Sequence, residues 1–184
     1  MGRSGKQMID YYVSEDQLND DIFIASESII ESFNKKRLLI LDTSVIIKWF
    51  FKDDEKNTGN ADCILNEYLD NKIRIIIPEL SVYELANVLK SKIQKYESDQ
   101  LEIIDRVYKM GIIFYIKKEM LKAAVRIACD IKESVYDCIF LALAEYFRGK
   151  FITDDDILFS NYSEYKRKRI EIIRLKDYEY NTGG

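Results

Sequence analysis

Four short acidic motifs carry the side chains most able to do chemistry: Leu41-Asp42-Thr43-Ser44, Tyr83-Glu84-Leu85-Ala86-Asn87, Tyr136-Asp137-Cys138 and Thr153-Asp154-Asp155. Each falls where an apolar strand ends or a helix runs, so one carboxylate from each of four distant segments comes within reach of a single site. Clustered carboxylates repel one another when bare and favour a hard divalent cation. An all-oxygen donor set points to Mg²⁺ or Mn²⁺ rather than zinc. Such a site supports in-line hydrolysis of a phosphodiester, with the cation activating water and stabilising the charge that builds on the phosphate.

Every motif also has a purely structural reading. Asp42 closes the run Leu38-Leu39-Ile40-Leu41 and could, like Thr43 or Ser44, simply cap the helix that follows. Glu84 borders a helix face formed by Leu80, Val88 and Leu89, and a solvated glutamate beside Asn87 is the ordinary alternative. Asp137 stands three residues after Ser134, the spacing of a capping box. The apolar run Cys138 to Ala144 predicts instead that Asp137 enters the interior, where a bare charge is costly. Thr153 and Asp156 share a capping spacing as well, which gives Asp156 a local role and leaves Asp154 or Asp155 for chemistry.

Composition removes several alternatives. The chain has 184 residues and no histidine, which excludes Ser-His-Asp and Cys-His nucleophiles, histidine-ligated zinc and imidazole acid–base catalysis. Cys63, Cys129 and Cys138 have no CxxC spacing and read as buried thiols in a reducing compartment. With 28 basic against 32 acidic residues the net charge is −4, so any contact with nucleic acid must be local. Lys166-Arg167-Lys168-Arg169 is the densest basic run, and Lys90, Lys92 and Lys95 form another. The 13 tyrosines, at helical spacing, read as core or interface rather than as base-stacking platforms. No apolar run approaches a membrane span and no signal peptide is recognisable, so the expectation is a cytoplasmic protein without membrane contact.

The elements that must position the acids alternate in the manner of a parallel α/β sheet. Strands are predicted at 38–42, 73–77, 112–116, 150–153 and 170–175, and helices at about 79–96, 99–110, 118–132 and 134–148. Gly111 and Gly149 stand just past helical runs, where a left-handed residue is wanted. Residues 1–36 read as an N-terminal extension with one helix at most, and residues 37–184 as the catalytic domain.

In this order and spacing the motifs resemble those of the PIN-domain ribonuclease family, most closely the VapC type of toxin–antitoxin modules. The resemblance runs from about residue 38 to 180 through Leu41-Asp42-Thr43-Ser44-Val45, Pro78 to Leu89, Tyr136 to Glu145 and Ile152-Thr153-Asp154-Asp155. It implies a three-layer α/β/α sandwich with a central, mostly parallel sheet. Its acids fall on Asp42, Glu84, Asp137 and Asp155, with Asp154 as competitor for the fourth. Mg²⁺ or Mn²⁺ would be held chiefly by Asp42 and Asp137, while Thr43 or Ser44 and Thr153 would support the ligands. The implied activity is metal-dependent endoribonucleolytic hydrolysis, and the implied partners are RNA, a small antitoxin and a second copy of the chain in a homodimer. The rival reading is a catalytically silent PIN fold acting through protein partners. A haloacid-dehalogenase-like phosphatase would need an aspartate at Ser44, and a response-regulator receiver would need one after residues 112–116.

Overall fold

The computed structural model describes residues 36–52, 56–92 and 97–179. The run Arg37–Leu41 forms β1, with Leu39, Ile40 and Leu41 fully buried. Side chains of successive strand residues leave opposite faces of a sheet, so a strand without a polar position must be covered on both sides. Leu39 and Leu41 join a core with Ile73, Ile75 and Ile77. Ile40 and Phe151 are buried on the other side, where the Phe151 ring stacks on Phe140 at 5.8 Å between centroids.

From β1 the chain continues through α1 (Thr43–Phe50), α2 (Thr58–Leu69), β2 (Ile73–Pro78), α3 (Leu80–Lys92), α4 (Glu97–Lys109) and β3 (Ile113–Phe114). It returns through α5 (Lys118–Ile131) and α6 (Val135–Phe147) to β4 (Lys150–Thr153), then α7 (Asp156–Ser163), β5 (Ile172–Arg174) and a 3₁₀ turn, Leu175–Asp177. The five strands form one parallel sheet in the order β3-β2-β1-β4-β5. Right-handed crossovers that first move outward through β2 and β3, then back through β4 and β5, put their helices on opposite faces. The result is the three-layer α/β/α sandwich. Its direction reverses between β1 and β4, and at such a switch point the carboxyl ends of the strands open a crevice.

All five strands lie where the alternation of the sequence puts them, but β3 keeps only Ile113 and Phe114 of the expected 112–116. The two glycines differ in role. Gly111 has φ +65° and ends α4 in the left-handed region, as expected. After α6 that conformation belongs to Arg148, at φ 53°. Gly149 is needed for space, since a Cβ there would lie 2.4 Å from Ile40 Cδ1 and 3.1 Å from the Leu38 carbonyl oxygen. The thiols also depart from expectation: Cys138 is buried, Cys63 is half-buried and Cys129 is exposed. Helical periodicity places Cys129 on the outer side of the amphipathic α5.

Of the expected extension, residues 1–36, all but Lys36 lies outside the described residues; Lys95 of the second basic group does too. Among the described residues no helix is long and apolar enough to cross a membrane.

Candidate active site at the carboxyl edge of the sheet

Asp42 and Asp155 stand just after the two strands that flank the switch point, and Glu84 follows β2 beside them. Asp42 ends β1, with its N–H donating to the Ile152 carbonyl of neighbouring β4 at 3.0 Å, and it caps α1 by accepting from the Ser44 N–H at 3.3 Å. Asp155 follows β4 and caps α7, its Oδ1 accepting from the N–H groups of Ile157 at 2.8 Å and Leu158 at 2.9 Å. Glu84 lies early in α3, which starts two residues after β2. Asp137 belongs to α6, whose length of about 20 Å at 1.5 Å per residue carries its first turn back from the start of β4 to the carboxyl edge.

Hydroxyl groups hold the acids, two of them buried and reaching from one element to another. Thr153, fully buried at the end of β4, donates to Asp42 Oδ2 and accepts the Asp155 N–H at 3.0 Å. Thr43, only 4% exposed, donates to Glu84 Oε2 and so joins α1 to α3. Ser44 Oγ accepts the N–H of Asp154 at 3.2 Å. Ser134 caps α6, accepting the Asp137 N–H at 3.1 Å and donating to Asp137 Oδ2 at 2.6 Å. Asp137 therefore holds the capping geometry and stays half-exposed at the helix start rather than entering the interior. The apolar run behind it, Cys138 to Ala144, is what the core receives.

Electrostatics links all four. Burial raises the pKa of Asp42, against hydrogen bonds from Thr153 and Ser44, and the charge of Asp155 adds to the rise. Burial likewise raises Glu84, against the bond from Thr43, and the charges of Asp42 and Asp137 push it further. Repulsion thus runs through Asp155, Asp42, Glu84 and Asp137 in turn. Beside them, burial first and the Asp137 charge second push the Cys138 thiol up to about 12. That leaves it neither a nucleophile nor a thiolate ligand at neutral pH.

A family model described as "PIN domain" matches residues 39–165. The chain belongs to the PIN domain family. No curated protein matches it in sequence. Among solved structures it is similar to FitAB bound to an IR36 DNA fragment, with TM-score 0.58 and 14% identity over 78% of this chain and 99% of that one. FitAcB from Neisseria gonorrhoeae gives 0.56 and 14% over 76% and 99%. VapBC2 from Rickettsia felis, bound to a DNA fragment from their promoter, gives 0.54 and 15% over 74% and 98%. At such identities the likeness is one of fold.

Within this PIN domain the run of three aspartates separates by partner. Asp154 uses both oxygens structurally: Oδ2 pairs with Lys48 Nζ at 3.1 Å and Oδ1 accepts from Asn57 Nδ2 at 2.8 Å. Asp156 faces Lys176 at 3.2 Å and Arg174 at 4.0 Å. The capping residue of α7 is Asp155, not Thr153, because Thr153 is still in β4 and its hydroxyl turns to Asp42. Sequence reasoning missed Lys48 and Asn57. Lys48 had one signal, as the single cation within Val45-Ile46-Ile47-Lys48-Trp49-Phe50, and it is 4% exposed. Asn57, 97 residues from its partner, had none.

The donors suit a hard divalent cation: they are oxygens, mutually repelling, and partly withdrawn from water. Among the described residues no three Asp, Glu or Cys side chains are already drawn together into a cation shell. Each carboxylate instead accepts a hydrogen bond from a hydroxyl or N–H of the chain.

Proposed function

We propose that this PIN domain is a metal-dependent endoribonuclease of the VapC type, hydrolysing RNA phosphodiester bonds in the crevice between β1 and β4. The observation that carries this reading is the placement of Asp42, Glu84, Asp137 and Asp155 on elements that start or end at one sheet edge, with buried Thr153 bonded to Asp42 and buried Thr43 to Glu84. Asp42 and Asp137 would be the principal ligands of Mg²⁺ or Mn²⁺, with Glu84 and Asp155 completing the acidic pocket. When bound, the cation would supply positive charge for the scissile phosphate and lower the pKa of water. The chain's own part is orientation. Thr153 and Ser44 aim Asp42, Thr43 aims Glu84, and Ser134 aims Asp137. These hydrogen bonds hold the carboxylates at the crevice, and a bound cation would draw them together.

The likeness to VapBC2 and FitAB supports a protein antitoxin as partner; we further propose that the protein is a homodimeric, cytoplasmic toxin in which residues 37–184 form the nuclease domain. We assign residues 1–36 to one of these protein contacts. Deleting them is expected to change oligomeric mass or antitoxin binding, and no change in either rejects the assignment.

Cleavage of a mixed RNA with Mg²⁺ or Mn²⁺ tests the activity. Wild type should cleave, and Asp42→Asn and Asp137→Asn should each lose activity by about a hundred-fold or more. Equal rates in all three would return the chain to a silent PIN-fold binding module.

A further inference from the structure

The basic run Lys166-Arg167-Lys168-Arg169 has no part in the site described above, yet it is fixed more firmly than a solvated loop needs to be. It follows α7, whose buried Tyr162 turns its phenol oxygen to the run and accepts the N–H groups of Arg169 at 3.2 Å and Ile170 at 3.4 Å. The Lys168 N–H donates to the Tyr165 carbonyl at 3.3 Å, and its Nζ donates to the Ser163 carbonyl at 3.0 Å, which closes a turn. Tyr165 ties that turn to the end of α5 by donating to Asp130 Oδ2 at 2.8 Å. The result is a pinned backbone that carries four consecutive exposed cations.

The acids beneath the turn orient its arginines without using them up. Arg169, 72% exposed, lies 3.0 Å from Glu145 Oε1, and Arg126 of α5 lies 3.8 Å from Oε2 of the same, mostly buried carboxylate. Arg167, 77% exposed, is 3.9 Å from Asp130. Ion pairs this open contribute little to stability, and a guanidinium has five N–H donors, so each arginine keeps donors for a ligand. Two guanidiniums drawn from separate elements to one carboxylate, next in line to Lys166 and Arg167, make a row of donors suited to phosphate oxygens. A folded protein partner would want an apolar centre poor in charge. The turn offers none, because Tyr165 and Ile170 are half-buried and the side chains between them are all cations.

The turn also has a defined place relative to the acidic crevice. Asp155 caps the start of α7 and the turn follows its end, so a helix of 8 residues, about 12 Å long, separates the fourth acid from the cations. Asn161 of α7 donates to Glu133, the neighbour of Ser134, which caps the helix of Asp137. Nucleic acid in a duplex carries a phosphate about every 3.4 Å along each strand. RNA cut in the crevice therefore reaches the turn within a few nucleotides.

Resting on the ribonuclease reading above, we propose that the turn 166–169, together with Arg126, is a docking surface for the phosphate backbone of RNA, gripping the substrate a few nucleotides from the cut without reading its sequence. The test measures binding of a fluorescent RNA of about thirty nucleotides by anisotropy across a salt series, with Mg²⁺, in the full chain carrying Asp42→Asn to stop turnover. Adding Arg167→Gln and Arg169→Gln together should weaken binding about ten-fold and lower the slope of log affinity against log salt by about 1.5, as the loss of two phosphate contacts requires. Arg167→Lys with Arg169→Lys keeps both charges, and its slope should match the parent's. Lys90→Gln with Lys109→Gln removes the same charge from exposed positions of α3 and α4 and should stay within about two-fold of the parent. No binding of the RNA, a double glutamine variant with the parent's affinity and slope, or an equal loss in the α3–α4 control would each overturn the proposal. So would a loss that appears only as an oligomer dissociates, seen by light scattering, which would give the turn to a protein interface. Cleavage by the chain without Asp42→Asn is scored separately. Binding through the turn without cleavage removes the ribonuclease reading but keeps the docking surface, and cleavage with binding indifferent to the turn does the reverse.

Discussion

Asp154 and Asp155 are neighbours in the chain with the same side chain, yet their surroundings give them opposite consequences on mutation. Asp154 pairs with Lys48, whose side chain is 5% exposed, so Asp154→Asn removes a counter-charge from a buried cation. Breaking such a pair costs about 3 kcal/mol, which urea unfolding should register, while cleavage by the folded fraction should stay close to wild type. Asp155→Asn removes a charge that acts on Asp42 but keeps a side chain that caps helices equally well. Its stability should stay within about 0.5 kcal/mol of wild type, and its cleavage rate should fall about ten-fold or more. The reverse pattern would move the fourth acid to Asp154. The cysteines separate in the same way. With a thiol pushed up to about 12, Cys138 stays protonated at pH 8. In native labelling followed by mass spectrometry, exposed Cys129 should be modified first and Cys138 only after unfolding; early labelling of Cys138 would contradict its burial. The residue types at the candidate site were legible in the sequence because Asp42, Glu84, Asp137 and Asp155 each adjoin a strand end or helix start. Their partners were not. Thr43 meets Glu84 and Lys48 meets Asp154 only through tertiary packing, across separations that no local spacing encodes.

The element boundaries follow from backbone chemistry, and the two glycines next to the sheet test how far. Gly111→Ala meets no atom within 4 Å, so its cost is that of holding alanine at φ +65°, about 1–2 kcal/mol. Gly149→Ala would press a methyl onto Ile40 and the Leu38 carbonyl, in the tight turn that sets β4 beside β1. Over-packing there should cost about 1–3 kcal/mol. It should also loosen the register that brings Thr153 to Asp42, so cleavage should fall with stability, whereas Gly111→Ala should leave the rate of folded protein unchanged. Equal loss of activity in both would mean that the turn does not position the site. Strands β1, β2 and β4 were legible because each has an apolar centre, Leu38 to Leu41, Ile75 to Ile77 and Phe151-Ile152, buried in the sheet. Only Ile113 and Phe114 of β3 are strand, because at the sheet edge one neighbour, β2, is available to pair with. The exchange of roles between Arg148 and Gly149 could not be read at all. Both glycine and a left-handed cap predict the same letter in the same place, and only the closeness of Ile40 distinguishes them.

At the scale of the whole molecule, the chain beyond β5 is locked back onto the element that precedes β2. Glu67 of α2 is fully buried; Arg37 of β1 pairs with its Oε1 at 2.5 Å, and the Tyr178 hydroxyl donates to its Oε2. The Tyr178 carbonyl in turn accepts from Asn60 Nδ2 at 3.1 Å. First β-strand, second helix and C-terminal segment thus share one carboxylate, whose charge Arg37 offsets and whose second oxygen depends on a phenol. Tyr178→Phe keeps the ring and leaves that oxygen without its donor, a loss of about 1–3 kcal/mol. Burial, then the bond to Glu67, raises the Tyr178 pKa above its ordinary value of 10.0. A raised folded-state pKa means that the native protein retains a proton which the unfolded chain releases, so the contribution of Tyr178 is complete below about pH 10 and declines as pH rises beyond it. Comparison of wild type with Tyr178→Phe isolates this phenol from every other group. The stability difference between the two should be constant from pH 7 to about 9.5, then shrink by up to about 1.4 kcal/mol per pH unit. A difference that stays flat to pH 11 would show that the phenol does not close the molecule through Glu67.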